Sequence, residues 1–329
     1  MTHRIPTYIS PSQATLFYKD RSEYYLRYLC EYRPDRFAQT PAMAVGGSFD
    51  SHVTRALALR YFGRDDPRCE GEYCLETMLD AAIEPHLDRR ELTRIGLELF
   101  KRYMATGGYG RLCAELDAAS DICMQGRLYY NVPERVGLTL MGLPDVAFVR
   151  GGVQHVYDFK VNGFFSAASP LKGFVWKGTG SGSTSHKSAI LGKLDCGTVV
   201  DLSGYFDTGY LRQTSTYAWA LQGGCDSPIV VGIEQTACRV ASSRWKDPTV
   251  LSGDRQVAVS NVSTRSLISV EIQAAVLDEY IHMWDVINSG WIFEDLSREE
   301  SDIECARLDL LAKGLVVDKD EDFNKLCGR

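Results

Sequence analysis

The 329-residue sequence contains no apolar run that could cross a bilayer, which takes roughly 20 consecutive apolar residues as a helix. Its opening, MTHRIPTYIS, lacks the apolar stretch of a secretory leader. The two absences set the expectation of a cytoplasmic protein with no membrane partner. None of the ten cysteines forms C-x-x-C, and none stands beside a histidine at zinc-ligand spacing. Scattered thiols of this kind read as reduced and mostly buried. Positive charge is also in short supply, with 36 basic residues against 43 acidic ones and a net charge of −7. That excludes a protein coated in basic charge, so any nucleic-acid binding must use a local patch. There is no internal repeat.

What is present is an ordinary globular composition, 45% hydrophobic and 24% charged, enough for one large domain or two small ones. ISPSQATLFYKDRSEYYLRYL opens a helix, with Ser10 as N-cap, Pro11 at the first helical position and Gln13 completing a capping box. The stretch 41–63 predicts a helix from about Phe49, after the pair Gly46-Gly47, with His52 in its first turns. More helix follows over 75–119, broken at TGGYG. The pattern then changes. GRLYYNV, GLTLMG, PDVAFVR and VQHVYDFKV are short, rich in β-branched and aromatic residues and separated by Gly and Pro, so they predict antiparallel strands. A helix is predicted over 208–222, strands at SPIVVGIEQTA and RQVAVSNVS, and a long helix ending at Gly290. The expected fold class is α/β: a mixed β-sheet flanked by helices, with a helical N-terminal region laid over it.

One segment stands apart. From Lys160 to Lys193 there are five lysines and no acid, interleaved with Phe164, Phe165, Phe174 and Trp176, and the centre KGTGSGSTSHKS reads as a linker by composition. A long insertion of this kind, about 164–204, is either a solvated loop or an element that touches a polyanion. In the second case Lys172, Lys177, Lys187 and Lys193 are the DNA-binding candidates.

The charges in GLPDVAFVRGGVQHVYDFKVNG are the most informative feature. Gly151-Gly152 suits a two-residue hairpin turn. Counting outward, Arg150 faces Val153, Phe148 faces His155 and Val146 faces Tyr157, so Asp145 lands opposite Asp158, with Cβ atoms about 5 Å apart. Lys160, two residues on, shares their face, while Tyr157, Phe159 and Val161 point to the other. Like charges directly opposed are destabilising and require a compensating cation. Lys160 supplies one as a structural salt bridge. Alternatively, a divalent metal suits the oxygen ligands and would orient a water and stabilise a phosphoryl transition state. Lys160 would then position or deprotonate that water, or offset charge on the phosphate.

On these residues the chain resembles the PD-(D/E)XK nuclease superfamily, in its RecB-like exonuclease branch, which includes phage recombination exonucleases and CRISPR-adaptation nucleases. The matches are short, in the family's order, and span about 8–295: the N-terminal helix SPSQATLFYKDRSEYYLRYL, the glycine-rich turn and helix VGGSFDSHVTRAL, GLPD, YDFK, QTSTY and the late MWDVINSGWIF.

The resemblance implies a restriction-endonuclease-like core and a Mg²⁺- or Mn²⁺-dependent deoxyribonuclease, an exonuclease of recombination or DNA processing. It implies that His52, Asp145, Asp158 and the Phe159 carbonyl hold the metal. Lys160 is the catalytic lysine, and Gln213 and Tyr217 orient it or contact DNA. It implies DNA as partner, admits a single-strand annealing or recombination protein, and for a phage-encoded chain places it in the host cytoplasm. Oligomeric state is left open. Many relatives hold an iron–sulfur cluster, but YKDRSEYY has no cysteine and only Cys305 and Cys327 stand near the end, so no cluster is expected. The Lys160–Gln213 spacing is longer than the family's by the basic insertion. The organisation expected is a helical region over 1–120, a core over 121–295 and a polar tail over 296–329. Two other readings remain: a non-catalytic DNA-binding or assembly protein on the same fold, and a restriction-type endonuclease.

Overall fold

The computed structural model describes residues 3–32, 38–162, 199–201, 208–239 and 258–315. The four insertion lysines Lys172, Lys177, Lys187 and Lys193 lie outside them.

The N-terminal region starts with α1 (Pro11–Lys19), where Ser10 Oγ accepts the Gln13 amide at 3.3 Å. A short α2 (Arg21–Tyr24) runs into a π-turn, Tyr25–Leu29. The next helix, α3 (Pro41–Tyr61), begins eight residues before the sequence expectation at Phe49. Thr40 caps it through the Met43 amide and Pro41 takes the first turn. That start signal outweighs the interruption by Gly46-Gly47. Helices α4 (Pro67–Glu70), α5 (Leu75–Ala82), α6 (Arg89–Ala105) and α7 (Gly108–Leu116) complete this region.

Eight strands follow among the described residues: β1 (Ser120–Cys123), β2 (Leu128–Asn131), β3 (Thr139–Gly142), β4 (Val146–Arg150), β5 (Val153–Asn162), β6 (Val199–Asp201), β7 (Ile229–Arg239) and β8 (Ala258–Ile268). The helices among and after them are α8 (Thr208–Gln222), α9 (Val270–Ser289) and α10 (Arg298–Ala312). Six strands form one sheet in the order β1-β4-β5-β7-β8-β6, and β2 and β3 form a separate hairpin. The sheet is mixed: β4–β5 and β7–β8 are antiparallel, β5–β7 parallel. A parallel pair needs a crossover, and α8 lies in the β5–β7 connection. Two boundaries differ from the sequence reading. Ser266–Ile268 continue β8 rather than opening the long helix. The stretch read as a polar tail is in part α10, opened by a Ser297–Glu300 capping box and burying Ser301, Cys305 and Leu308.

The two faces of the sheet are covered differently, as the two-residue period requires. Val146, Phe148, Tyr157 and Phe159 pack into one cluster with Phe49 and Val53 of α3 and Ile95, Leu99 and Tyr103 of α6. Ala147, Val156, Val231 and Ile233 face the other way, the first three against Tyr217 and Ala218 of α8. Each fully buried large side chain contributes roughly 1.5–3 kcal/mol, so β5 is fixed from both sides. A third cluster joins the N-terminal helices, the β2–β3 hairpin, Trp219, α9 and α10. Its anchor is backbone pairing: the Ile9 amide donates to Thr139 O at 2.8 Å and the Met141 amide to Ile9 O at 2.9 Å. That pairing sets α1 beside the β3–β4 junction.

Candidate active site

The β4–β5 ladder has the register that a two-residue Gly151-Gly152 turn dictates, from Arg150↔Val153 to Val146↔Tyr157. Both glycines are left-handed, at φ 59° and 77°, a conformation that disfavours other residues. One step beyond the ladder, the Asp145 and Asp158 carboxyls meet, near enough for Asp158 to raise the Asp145 pKa. Asp145 Oδ2 also accepts the Phe159 amide at 2.6 Å. Lys160 Nζ forms an ion pair with Asp158 Oδ2 and lies 5.5 Å from the centre of the Tyr210 ring.

Helix α8 adds the next layer. Gln213 and Tyr217, one turn apart, share a face. Gln213 Nε2 donates to Asp158 Oδ1 at 2.7 Å and to the Tyr217 hydroxyl at 2.8 Å. Tyr217 sits against Gly142, where an added Cβ would fall 2.2 Å from the Tyr217 ring. The glycine of GLPD therefore leaves the space that Tyr217 fills.

A residue that the sequence reading did not single out completes the cluster. Asp50 of α3 is half-buried, and its enclosed Oδ1 has no hydrogen-bond partner among the described residues. Burial raises its pKa well above the usual carboxylate value, and Asp145 and Asp158 add to the rise. The available signal was its isolation, since Asp50 is the only charged residue in α3 before Arg55.

His52 has a different environment. Its ring stacks on Phe100 at 6.3 Å and its Nε2 has no partner among the described residues. Burial lowers its pKa, opposed by a hydrogen bond to the Thr93 backbone, and no carboxylate enters the balance. Residues two apart on a helix point about 200° apart, so Asp50 and His52 cannot both face the hairpin. Of the two, Asp50 is the α3 side chain whose charge responds to Asp145 and Asp158, while His52, the ligand that the resemblance implies, packs on Phe100.

The charges on these groups follow from their neighbours. Burial and then Asp158 push Asp145 up to about 8, against the lowering by Lys160 and the Phe159 amide. Burial pulls Lys160 down, but Asp158 and Asp145 outweigh it and hold the ammonium above its ordinary value. The Tyr217 hydroxyl is raised by burial and then by Asp158. A cleft of about 680 Å³ opens over the site, with Lys160, Gln213 and Tyr217 among its lining residues. Among the described residues, no three His, Cys, Asp or Glu side chains form a group that could hold a metal ion as they stand.

No protein-family model matches the chain, and neither does any curated protein. Among solved structures, protein VC1899 from Vibrio cholerae aligns with 48% of this chain and 41% of its own length, at 16% identity and a TM-score of 0.16. No conclusion about fold or activity follows from so loose a match.

Proposed function

We propose that the protein is a divalent-cation-dependent deoxyribonuclease, acting as an exonuclease on the restriction-endonuclease-like fold that its motifs resemble. The observation carrying the reading is the convergence of Asp145, Asp158 and Lys160 on one hairpin, backed by Gln213 and Tyr217 from a separate helix.

The donor chemistry, carboxylate oxygen, is the kind that a hard cation such as Mg²⁺ or Mn²⁺ takes, and the three carboxylates would have to draw together to form its ligand group. Asp50, Asp145 and Asp158 supply oxygen only, Asp50 Oδ1 is enclosed without a partner among the described residues, and the raised pKa of Asp145 is one that a bound cation would lower. These three and the Phe159 carbonyl would hold the ion, which when bound supplies Lewis-acid stabilisation and a more acidic water. Lys160, protonated beside two carboxylates, serves as a cation rather than a base: it can leave Asp158 for a phosphate oxygen and offset charge there. Gln213 fixes the Asp158 carboxylate by holding Oδ1, and Tyr217 fixes the Gln213 amide by accepting its second hydrogen bond.

A second reading, a non-catalytic DNA-binding protein, draws on the Lys160–Asp158 ion pair, which neutralises Asp158 without a metal. The test is end-labelled linear and closed circular DNA incubated with Mg²⁺, Mn²⁺ or EDTA. An exonuclease releases label from the linear DNA alone and only with metal. Discrete fragments from the circle indicate an endonuclease, and DNA bound but intact indicates the second reading.

A further inference from the structure

Helices α8 and α9 lie side by side, joined by hydrogen bonds from Trp219 Nε1 to Gln273 Oε1 and from Thr216 Oγ1 to the Tyr280 hydroxyl, each 2.9 Å. Between Leu211 of α8 and the first turns of α9 runs a groove of about 310 Å³, lined besides by Glu271, Ile272, Ala275, Val276 and Glu279. Leu211 is two residues from Gln213 and so points about 200° away from it on α8. The groove therefore lies on the far side of α8 from Asp158 and Lys160, and no part of the proposed nuclease uses it. Its apolar floor is open, with Ile272 38% exposed and Ala275 exposed beside it. Exposed apolar surface inside a polar rim marks an interaction site.

The rim is of one sign. Helix α9 holds four acids and neither lysine nor arginine. Glu279 is paired with Arg212 and Asp285 with Arg135. Glu271 and Asp278 are exposed and form no ion pair among the described residues. Seven residues apart, they stand on one face of α9, about 10 Å from each other along its axis. Among the described residues, no lysine or arginine lines the groove. Uncompensated carboxylates repel nucleic acid, and a symmetric contact with a second copy would set them against themselves. What complements the groove is an apolar side chain flanked by cations. A helix with lysine or arginine seven residues apart, and leucine-sized side chains on the adjoining face, matches that spacing.

We infer that the groove between α8 and α9 docks a cationic amphipathic helix of a partner protein, with its apolar side chains over Ile272 and Ala275 and its lysines or arginines on Glu271 and Asp278. The inference stands apart from the nuclease proposal, since the groove and the Lys160 cleft open on different sides of α8.

The test is fluorescence polarisation with the labelled peptide KKLLKKLLKKLLKK, in which lysines recur seven apart. Two control peptides carry glutamate in place of every lysine or serine in place of every leucine. The lysine–leucine peptide is expected to bind at least about tenfold more tightly than either control, because it alone satisfies both floor and rim. Ala275→Arg fills the floor and adds a cation, and is expected to weaken binding about tenfold or more. Glu271→Gln and Asp278→Asn are each expected to weaken it about two- to fivefold, the range of an exposed ion pair, and to lessen its salt dependence. Glu70→Gln, an exposed acid on α4, is expected to bind as the wild type does, and matching thermal melts check folding. Equal binding of the three peptides, or undiminished binding by Ala275→Arg, overturns the inference. So does the absence of binding by any peptide, whether the groove is filled from the same chain or takes nothing. A dimer in sedimentation equilibrium that Ala275→Arg returns to monomer assigns the groove to a second copy and overturns it as well.

Discussion

Asp145 faces Asp158 across the open end of the β4–β5 hairpin, near enough that Asp158 raises the Asp145 pKa, an arrangement two carboxyls tolerate only with a proton or a cation between them. The pH dependence of stability follows. Asp145 is raised from the usual carboxylate range, about 4, to about 8 in the folded protein. A group that binds its proton more tightly when folded stabilises fully below its unfolded pKa and loses that contribution as pH rises through the folded one. The Tm of chelator-treated protein should therefore fall between about pH 5 and pH 8, less steeply in Asp145→Asn, which keeps an acceptor for the Phe159 amide. A Tm that is flat or rises across that window contradicts the assignment.

Asp50 and His52 separate by metal affinity. Asp50→Asn should weaken Mn²⁺ binding, measured by calorimetry, at least about tenfold, the lower range seen even for outer-shell changes. His52→Gln should leave it near wild type. The reverse pattern would restore the histidine as ligand.

The hairpin register was legible in the sequence because its causes are local. Gly151-Gly152 admits one tight turn, and the two-residue strand period then carries Lys160 to Asp158 without knowledge of the rest of the chain. Gln213 and Tyr217 were reachable only through the resemblance, since nothing near them in sequence says which strand α8 covers. Asp50 stands two residues from His52 on one helix, and the sequence alone does not say which of the two faces the hairpin. Choosing between them needs the rotation of α3, which is set by Phe49 packing on Phe159 and Tyr103, contacts 110 and 54 residues away. The start of α3 is not legible from the glycine pair, because the Thr40-Pro41 cap carries the helix through Gly46-Gly47.

Gly142 gives a steric test of the α8 layer. Gly142→Ala puts a methyl 2.2 Å from the Tyr217 ring, and such overpacking costs about 1–3 kcal/mol. Denaturant titration should show that loss, and cleavage should slow as Tyr217 and Gln213 shift. Wild-type stability with unchanged cleavage would mean that the ring moves freely.

Behind the sheet, Arg265 pairs with Glu115 at 2.9 Å and with Glu234 at 2.5 Å. Glu234 also accepts from Tyr103 and Ser263. Removing one partner of a buried pair leaves an uncompensated charge and costs about 3–5 kcal/mol. Arg265→Ala should lose that much in urea unfolding, and Arg265→Ala/Glu234→Gln should recover part of it. Additive losses would show that the two side chains do not depend on each other.

The most direct measurement is single-turnover release of end label from linear DNA with Mg²⁺ or Mn²⁺, comparing wild type, Asp158→Ala and Lys160→Ala. The account predicts metal-dependent release by the wild type, and a fall of roughly 10²-fold or more in each variant, the scale of losing one transition-state contact. Undiminished, metal-dependent release by both variants would contradict it.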